Sequence, residues 1–209
     1  IVNGQTVLFE HVKSGAKLLY IKNADKNRAF DISFKTPAND NTGVNHVLEH
    51  VSTAGSQMYP FKDVFFNISN QTYCSYINAF TTNTMTSYPV ASMSEAQLLK
   101  LADVYMDCVF NPFIYKEPNL FKREAWRYEK ENEGAPLNLT GIIYSEMQGS
   151  TDGIENAEVR NCLKALFPNG TMSNASGGTP EAIPTLTYED VLKVHETYYH
   201  PSNALIVLY

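Results

Sequence analysis

His46 and His50 stand four residues apart, and Glu49 directly precedes the second, in the run GVNHVLEH (residues 43–50). On a helix, positions i and i+4 project from one face about a turn apart. Two imidazoles so placed can share one zinc ion at Zn–N distances of about 2.0–2.1 Å. Glu49 lies at i+3 from His46, beside the same face. A carboxylate there can take a proton from a water that the metal has acidified to a pKa of about 7. The order is H-x-x-E-H, the inverse of H-E-x-x-H. Random placement of 5 histidines and 14 glutamates in 209 residues gives roughly 0.01 such matches. The bland alternative is a helix with an incidental histidine pair.

A catalytic zinc takes three protein ligands and leaves one position open. His11, His195 and His200 are lone histidines without metal-type neighbours, and they read as packing or surface residues. A carboxylate is the better third ligand. GIIYSEMQGS (141–150) sets Glu146 after an apolar run, on a helix expected to bury one side. Glu124, Glu129 and Glu131 fall in a charge-rich stretch that reads as a solvated helix face. Position alone does not choose among the four.

The elements that must hold these residues follow from periodicity. Residues 17–23 read as a short strand. Residues 29–36 alternate, with Phe30, Ile32 and Phe34 on one side and Asp31, Ser33 and Lys35 on the other, as a strand with one buried face does. A helix is expected from near Val44, ending by Gly55. Residues 73–80 and 84–90 read as strands joined by a turn at 81–83. Ser94 and Gln97 form a cap signal for a helix to about Phe110. Further helices are expected at about 119–132, from near Thr140, at 155–166, and from Thr187 to Tyr198, before a last strand at 204–209. Mixed helices and hairpin-like strands argue for an α+β domain, a largely antiparallel sheet with helices packed on one face.

Composition bounds the function. Apolar residues make up 44% and charged residues 18%, ordinary for a globular domain, and the net charge is -6. No clustered Lys and Arg suggest nucleic acid, and no apolar run suggests a membrane span. Cys74, Cys108 and Cys162 are odd in number and lack a CxxC pair, so neither a disulfide scaffold nor a thiolate zinc site is expected. A reducing compartment follows, with the cytoplasm expected first and a mitochondrial or plastid matrix as the alternative. Cys108 reads as a small core residue. The apolar closing run at 204–209 reads as a strand cut from a longer chain, so residues 1–209 are expected to be one domain of a multi-domain protein.

The sequence resembles the pitrilysin and insulin-degrading-enzyme family of inverted-motif zinc metallopeptidases, most closely its presequence-protease branch. The matching segments are GVNHVLEH, GSQMYPFKD (55–63), INAFT (77–81), SYPVAS (87–92), DVYMDCVFNP (103–112), REAWRYE (123–129), GIIYSEMQG, SGGTPEAIPTLTYED (176–190) and YYHPSNA (198–204). They cover nearly the whole chain, in family order. The resemblance implies a zinc metalloendopeptidase domain acting on peptides or small unfolded proteins, with one Zn2+ per domain. It implies His46, His50 and Glu146 as ligands and Glu49 as general base. It also implies that Asn78, Ala79, Phe80 and Thr81 lie on an edge strand that takes up peptide as an added strand. Backbone bonds supply such docking, so it tolerates many sequences. The remaining domains of the chain are expected to close a chamber over the site, and an isolated piece is expected to be poorly active and to self-associate along its edge strand. The rival reading is a non-catalytic assembly domain of the same fold.

Overall fold

The computed structural model describes residues 4–60, 62–151 and 153–209; Phe61 of the GSQMYPFKD segment lies outside them. One mixed sheet forms the centre. Its strands are β1 (Gly4–Glu10), β2 (Lys17–Asn23), β3 (Arg28–Lys35), β4 (Cys74–Ile77), β5 (Phe80–Thr81), β6 (Met85–Ser92) and a late strand, Ala204–Leu208. Their order is β1-β2-late strand-β3-β6-β4, with β5 also on β6. Pairing is antiparallel except between β2 and the late strand. The expected α+β class holds.

The alternation of β3 explains its place at the middle of the sheet. Phe30, Ile32 and Phe34 are buried, and they pack with Tyr88 and Val90 of β6 under the helices. Helix α1 (Val44–Thr53) lies in that core through Val47, Leu48 and Val51, which are fully buried. Helix α3 (Glu95–Phe110) adds Leu98, Leu101, Tyr105 and Val109, and Ser94 caps it by accepting from the Gln97 N–H. Between them runs α2 (Val64–Gln71). Helix α7 (Tyr188–Tyr198) opens on a capping box between Thr187 and Asp190. Cys108 is buried, which pushes its thiol up to about 12, as a core residue requires.

Three expectations need correction. The helix expected at 119–132 stops early. Helix α4 covers only Asn119–Glu124, and a hairpin of β7 (Arg127–Glu129) and β8 (Asn138–Thr140) follows. Helix α5 (Ile142–Thr151) then resumes where α4 left off, and α6 (Ile154–Leu166) follows it. Charge-rich composition fits a solvated ribbon as well as a solvated helix, which misled the periodicity. The strand expected at 73–80 is broken at Asn78 and Ala79, and Thr81 belongs to β5 rather than to the turn. Strand β1 went unread because it is exposed along its whole length, so no burial imposes alternation on its sequence. The late strand is β9, and it sits between β2 and β3.

Candidate functional site

Gly43 caps the start of helix α1, and its backbone is left-handed at φ 68°. A Cβ there would also lie 2.4 Å from the Gly177 carbonyl oxygen, so only glycine lets the segment around Gly177 close over the start of the helix. That closure serves His46. Its Nδ1 lies 3.3 Å from the Gly177 carbonyl oxygen. A carbonyl only accepts, so Nδ1 carries the proton and Nε2 keeps its lone pair. One turn on, His50 Nδ1 donates to Glu124 Oε2 at 3.2 Å, which frees its Nε2 in the same way. The rings stand edge to face at 4.8 Å.

Both free nitrogens face Glu146 on α5. Glu146 Oε2 lies 3.9 Å from His46 Nε2 and 3.8 Å from His50 Nε2. Ligand atoms of the three residues all fall within 4.8 Å of one another, and among the described residues no other such group of three occurs. Ligands at about 2.0–2.1 Å from a tetrahedral zinc lie about 3.3–3.4 Å from each other. Glu146 stands about 0.5 Å beyond that spacing from each imidazole, and its half-exposed side chain can rotate closer. Two neutral imidazoles and a carboxylate, each imidazole fixed from behind, fit zinc.

The hairpin explains how Glu124 and Glu146 reach the same helix. Gly141 returns so close to the end of α4 that a Cβ on it would sit 2.2 Å from the Ala125 carbonyl oxygen. The Tyr144 N–H donates to that carbonyl at 3.3 Å, which joins the start of α5 to the end of α4. Residues 126–140 are thus looped out, and carboxylates far apart in sequence converge on His50.

Glu124 corrects the sequence reading. It is not on a solvated face but buried, at 5% exposure, where Arg123 Nε donates to it at 2.7 Å. Arg123 is tied in turn to Asp63 at 3.2 Å. Burial opposes ionisation of Glu124, but the His50 hydrogen bond and the Arg123 charge outweigh it and hold the carboxyl below its usual range. Burial likewise opposes charge on His50, and the Glu124 hydrogen bond together with the surrounding carboxylates holds that imidazole above its usual value. His46 is shifted down, by burial and then by the His50 charge. A sequence signal for Glu124 existed in its own segment: apolar Leu120, Phe121 and Ala125 flank it and are all buried.

Glu49 is only 6% exposed and is not within the ligand triad. Burial raises its carboxyl above the usual range, against the pull of a hydrogen bond from Thr81 Oγ1 at 2.7 Å. It lines a cavity of about 310 Å³ with His50, Asn78, Ala79, Phe65, Arg123 and Glu124. The other histidines take no part. Nε2 of buried His195 donates to the Val109 carbonyl at 2.8 Å and its Nδ1 lies 2.8 Å from the Tyr115 hydroxyl. His11 and His200 pair with Ser14 and Ser202. Glu129 binds Arg127 on the ribbon, away from the triad.

No family model matches the chain. Curated relatives do. The chain is 38% identical over 205 residues to presequence protease 1 (chloroplastic/mitochondrial) of Arabidopsis thaliana, covering 98% of this chain and 19% of that protein. It is 39% identical over 207 residues to the mitochondrial presequence protease of Drosophila melanogaster, covering 96% and 20%. It is also 39% identical over 208 residues to protein HypA of Clostridium perfringens, covering 100% and 21%. The solved structure of pitrilysin matches with a TM-score of 0.75 at 19% identity, over 100% of this chain and 21% of that one. A putative M16-like peptidase from Alicyclobacillus acidocaldarius matches at 0.71 and 19%, over 100% and 46%. The chain belongs to the pitrilysin and insulin-degrading-enzyme family, on its presequence-protease branch. It spans about a fifth of the length of these curated relatives. Among the described residues no helix is long and apolar enough to cross a membrane.

The family's fold leaves one side of β4 and β5 open, since both pair only with β6 among the described strands. Asn78 N–H and Thr82 N–H donate inward, to Pro89 and Met85 of β6. The period of two then turns the backbone groups of Ala79 and Thr81 to the open edge. The four residues 78–81 are therefore not equivalent. Asn78 spends its backbone on the fold, its carbonyl accepting from the Tyr105 hydroxyl, while its side-chain oxygen accepts from the Ala79 N–H at 3.0 Å.

Proposed function

We propose that this chain is the zinc-binding catalytic domain of a metalloendopeptidase that cleaves peptides or small unfolded proteins. The observation that carries the reading is the convergence of His46 Nε2, His50 Nε2 and Glu146 Oε2 beside a buried carboxylate with a raised pKa, Glu49. His46, His50 and Glu146 hold the metal. Zinc supplies Lewis acidity and an acidified water there. Glu49 accepts a proton from the attacking water as its oxygen bonds to the scissile carbonyl carbon. It returns that proton to the leaving amine nitrogen as the C–N bond breaks. Burial suits Glu49 to both steps, because raising the carboxyl above its usual range makes it the stronger base. Asn78, Ala79, Phe80 and Thr81 receive the extended peptide along the open edge, with the Ala79 carbonyl and the Thr81 backbone offering bonds.

The remaining domains of the longer protein close the chamber over the peptide. The relatives' length, about five times that of this chain, supports this. A non-catalytic assembly role fits less well, since an assembly domain has no use for oriented imidazoles and a buried base in one cluster. Two measurements on the full-length protein test the reading: bound zinc and cleavage of an unstructured peptide. Absence of zinc from protein never exposed to chelator, together with absence of cleavage, sinks it.

A further inference from the structure

We infer that Thr81 is a positioning residue for the base Glu49, backed by the buried hydroxyls of Thr86 and Thr36. The inference rests on Glu49 acting as the base. Thr81 Oγ1 donates to Glu49 Oε2 at 2.7 Å. It also lies 3.3 Å from Thr86 Oγ1, and Thr86 Oγ1 lies 2.8 Å from Thr36 Oγ1. Each hydroxyl has one proton. An ionised carboxylate only accepts, so Thr81 must spend its proton on Glu49. Thr81 can then only accept from Thr86, whose hydroxyl also meets those of Thr36 and Tyr199. Thr36 and Thr86 are both fully buried, so water does not offer them alternative partners. A proton given by Thr86 to Thr81 polarises the Thr81 hydroxyl and strengthens its bond to the carboxylate.

Two consequences follow. Thr81 fills one acceptor site of Glu49 Oε2, so Oε1 is the freer oxygen to take the proton from water. The Thr81 hydroxyl is turned to Glu49, which leaves the backbone of this residue for the peptide. Thr81 and Thr86 are cross-strand partners in β5 and β6. The two-residue strand β5 therefore carries the peptide edge on its backbone and the orientation of the base on its side chain. Seating a peptide there stiffens the element that aims Glu49.

The test compares Thr81→Val and Thr81→Ser in the full-length protein. Valine keeps the shape and removes the hydroxyl; serine keeps the hydroxyl. Thr81→Val is expected to lower kcat about 10- to 100-fold with KM within about twofold and zinc content unchanged. Thr81→Ser is expected to stay within about threefold of wild type. A second readout does not use activity. In a crystal structure of metal-free Thr81→Val, the Glu49 carboxylate should leave the place it holds here, whereas in Thr81→Ser it should stay. Unchanged kcat in the valine variant overturns the inference. So does an equal loss in both variants, which means packing, or a rise in KM alone, which means peptide contact. If Thr81→Val does not fold, Thr86→Val removes the hydroxyl one step back and should give a smaller fall in kcat. A wild type that cleaves nothing defeats the proposed function, and the Glu49 position in the variant crystals still decides the role of Thr81.

Discussion

Glu49 and Glu124 are both buried carboxylates beside His50, and their surroundings push them in opposite directions. Glu49 has burial and a single hydroxyl donor, so it is raised. Glu124 has burial too, but His50 and Arg123 outweigh it, so it stays ionised. That division assigns proton transfer to the first and imidazole orientation to the second. Glu49→Gln should keep zinc and lose about 10²–10⁴-fold in turnover, because an amide cannot take the proton. Glu124→Gln should do the reverse, weakening zinc affinity about 10–100-fold while leaving turnover per bound zinc closer to wild type. Zinc titration and peptide kinetics on both variants separate the roles, and identical behaviour of the two would refute the division. His195 gives a pH prediction remote from the site. Burial depresses its pKa in the fold, and it is held neutral between Val109 and Tyr115. The unfolded chain takes up the proton first, at about 6.5, so the stability this residue provides is present above that pH and is lost as pH falls toward the depressed folded value. The stability gap between wild type and His195→Gln should therefore narrow on acidification from pH 7 to 5. Denaturant unfolding at several pH values checks it, and a constant gap contradicts it.

At the scale of elements, the sequence spoke clearly where one face is buried and faintly where none is. Helix α1 was legible because Val47, Leu48 and Val51 alternate with the histidines at helical spacing, and β3 because its odd and even residues face different media. His46, His50 and Glu49 came with the helix, since their geometry is local. Glu146 did not: its approach depends on how the chain returns after the ribbon at 127–140, and spacing along the sequence carries no trace of that. The resemblance chose it from four glutamates. Glu124 was misread for the same reason, because a helix expected to run through to 132 would turn that side to solvent. Gly141 is the residue on which the return depends. Gly141→Ala should force Ala125 and Gly141 apart, since the new Cβ has no room against a carbonyl. The expected result is a stability loss of about 1–3 kcal/mol, as in other overpacked sites, and weaker zinc binding as Glu146 is displaced. Unfolding curves with and without zinc measure both, and a variant that matches wild type in both would mean that α4 and α5 are aligned by something else.

The whole molecule presents a half-built enclosure. Glu146 keeps 48% of its side chain exposed and His50 keeps 25%, so the cluster opens to solvent on the side away from α1. Helix α6 has no buried residue, although Ile154, Val159 and Leu166 are among its side chains. The open edge of β4 and β5 runs beside the cluster. Each of these surfaces lacks a cover, and four-fifths of the length of the curated relatives lies outside the matched region. Supplying that cover is a role for the rest of a longer chain. The isolated 209-residue chain should therefore bind zinc, because all three ligands and the groups behind them are its own. It should also cleave peptides poorly, because one wall of a cleft does not hold a peptide in register, and a displacement of about 1 Å can already cost about 10²-fold. An uncovered strand edge invites another chain, so the piece should exceed its monomer mass in solution and fall back toward it when an extended peptide competes for residues 78–81. Zinc content, side-by-side turnover of the piece and the full-length protein, and light scattering with and without peptide make up the test. Full turnover from a monomeric piece would mean that the wall formed by α1, α5 and β5 suffices alone. Failure of the piece to bind zinc would mean that the missing chain positions Glu146 as well as the peptide.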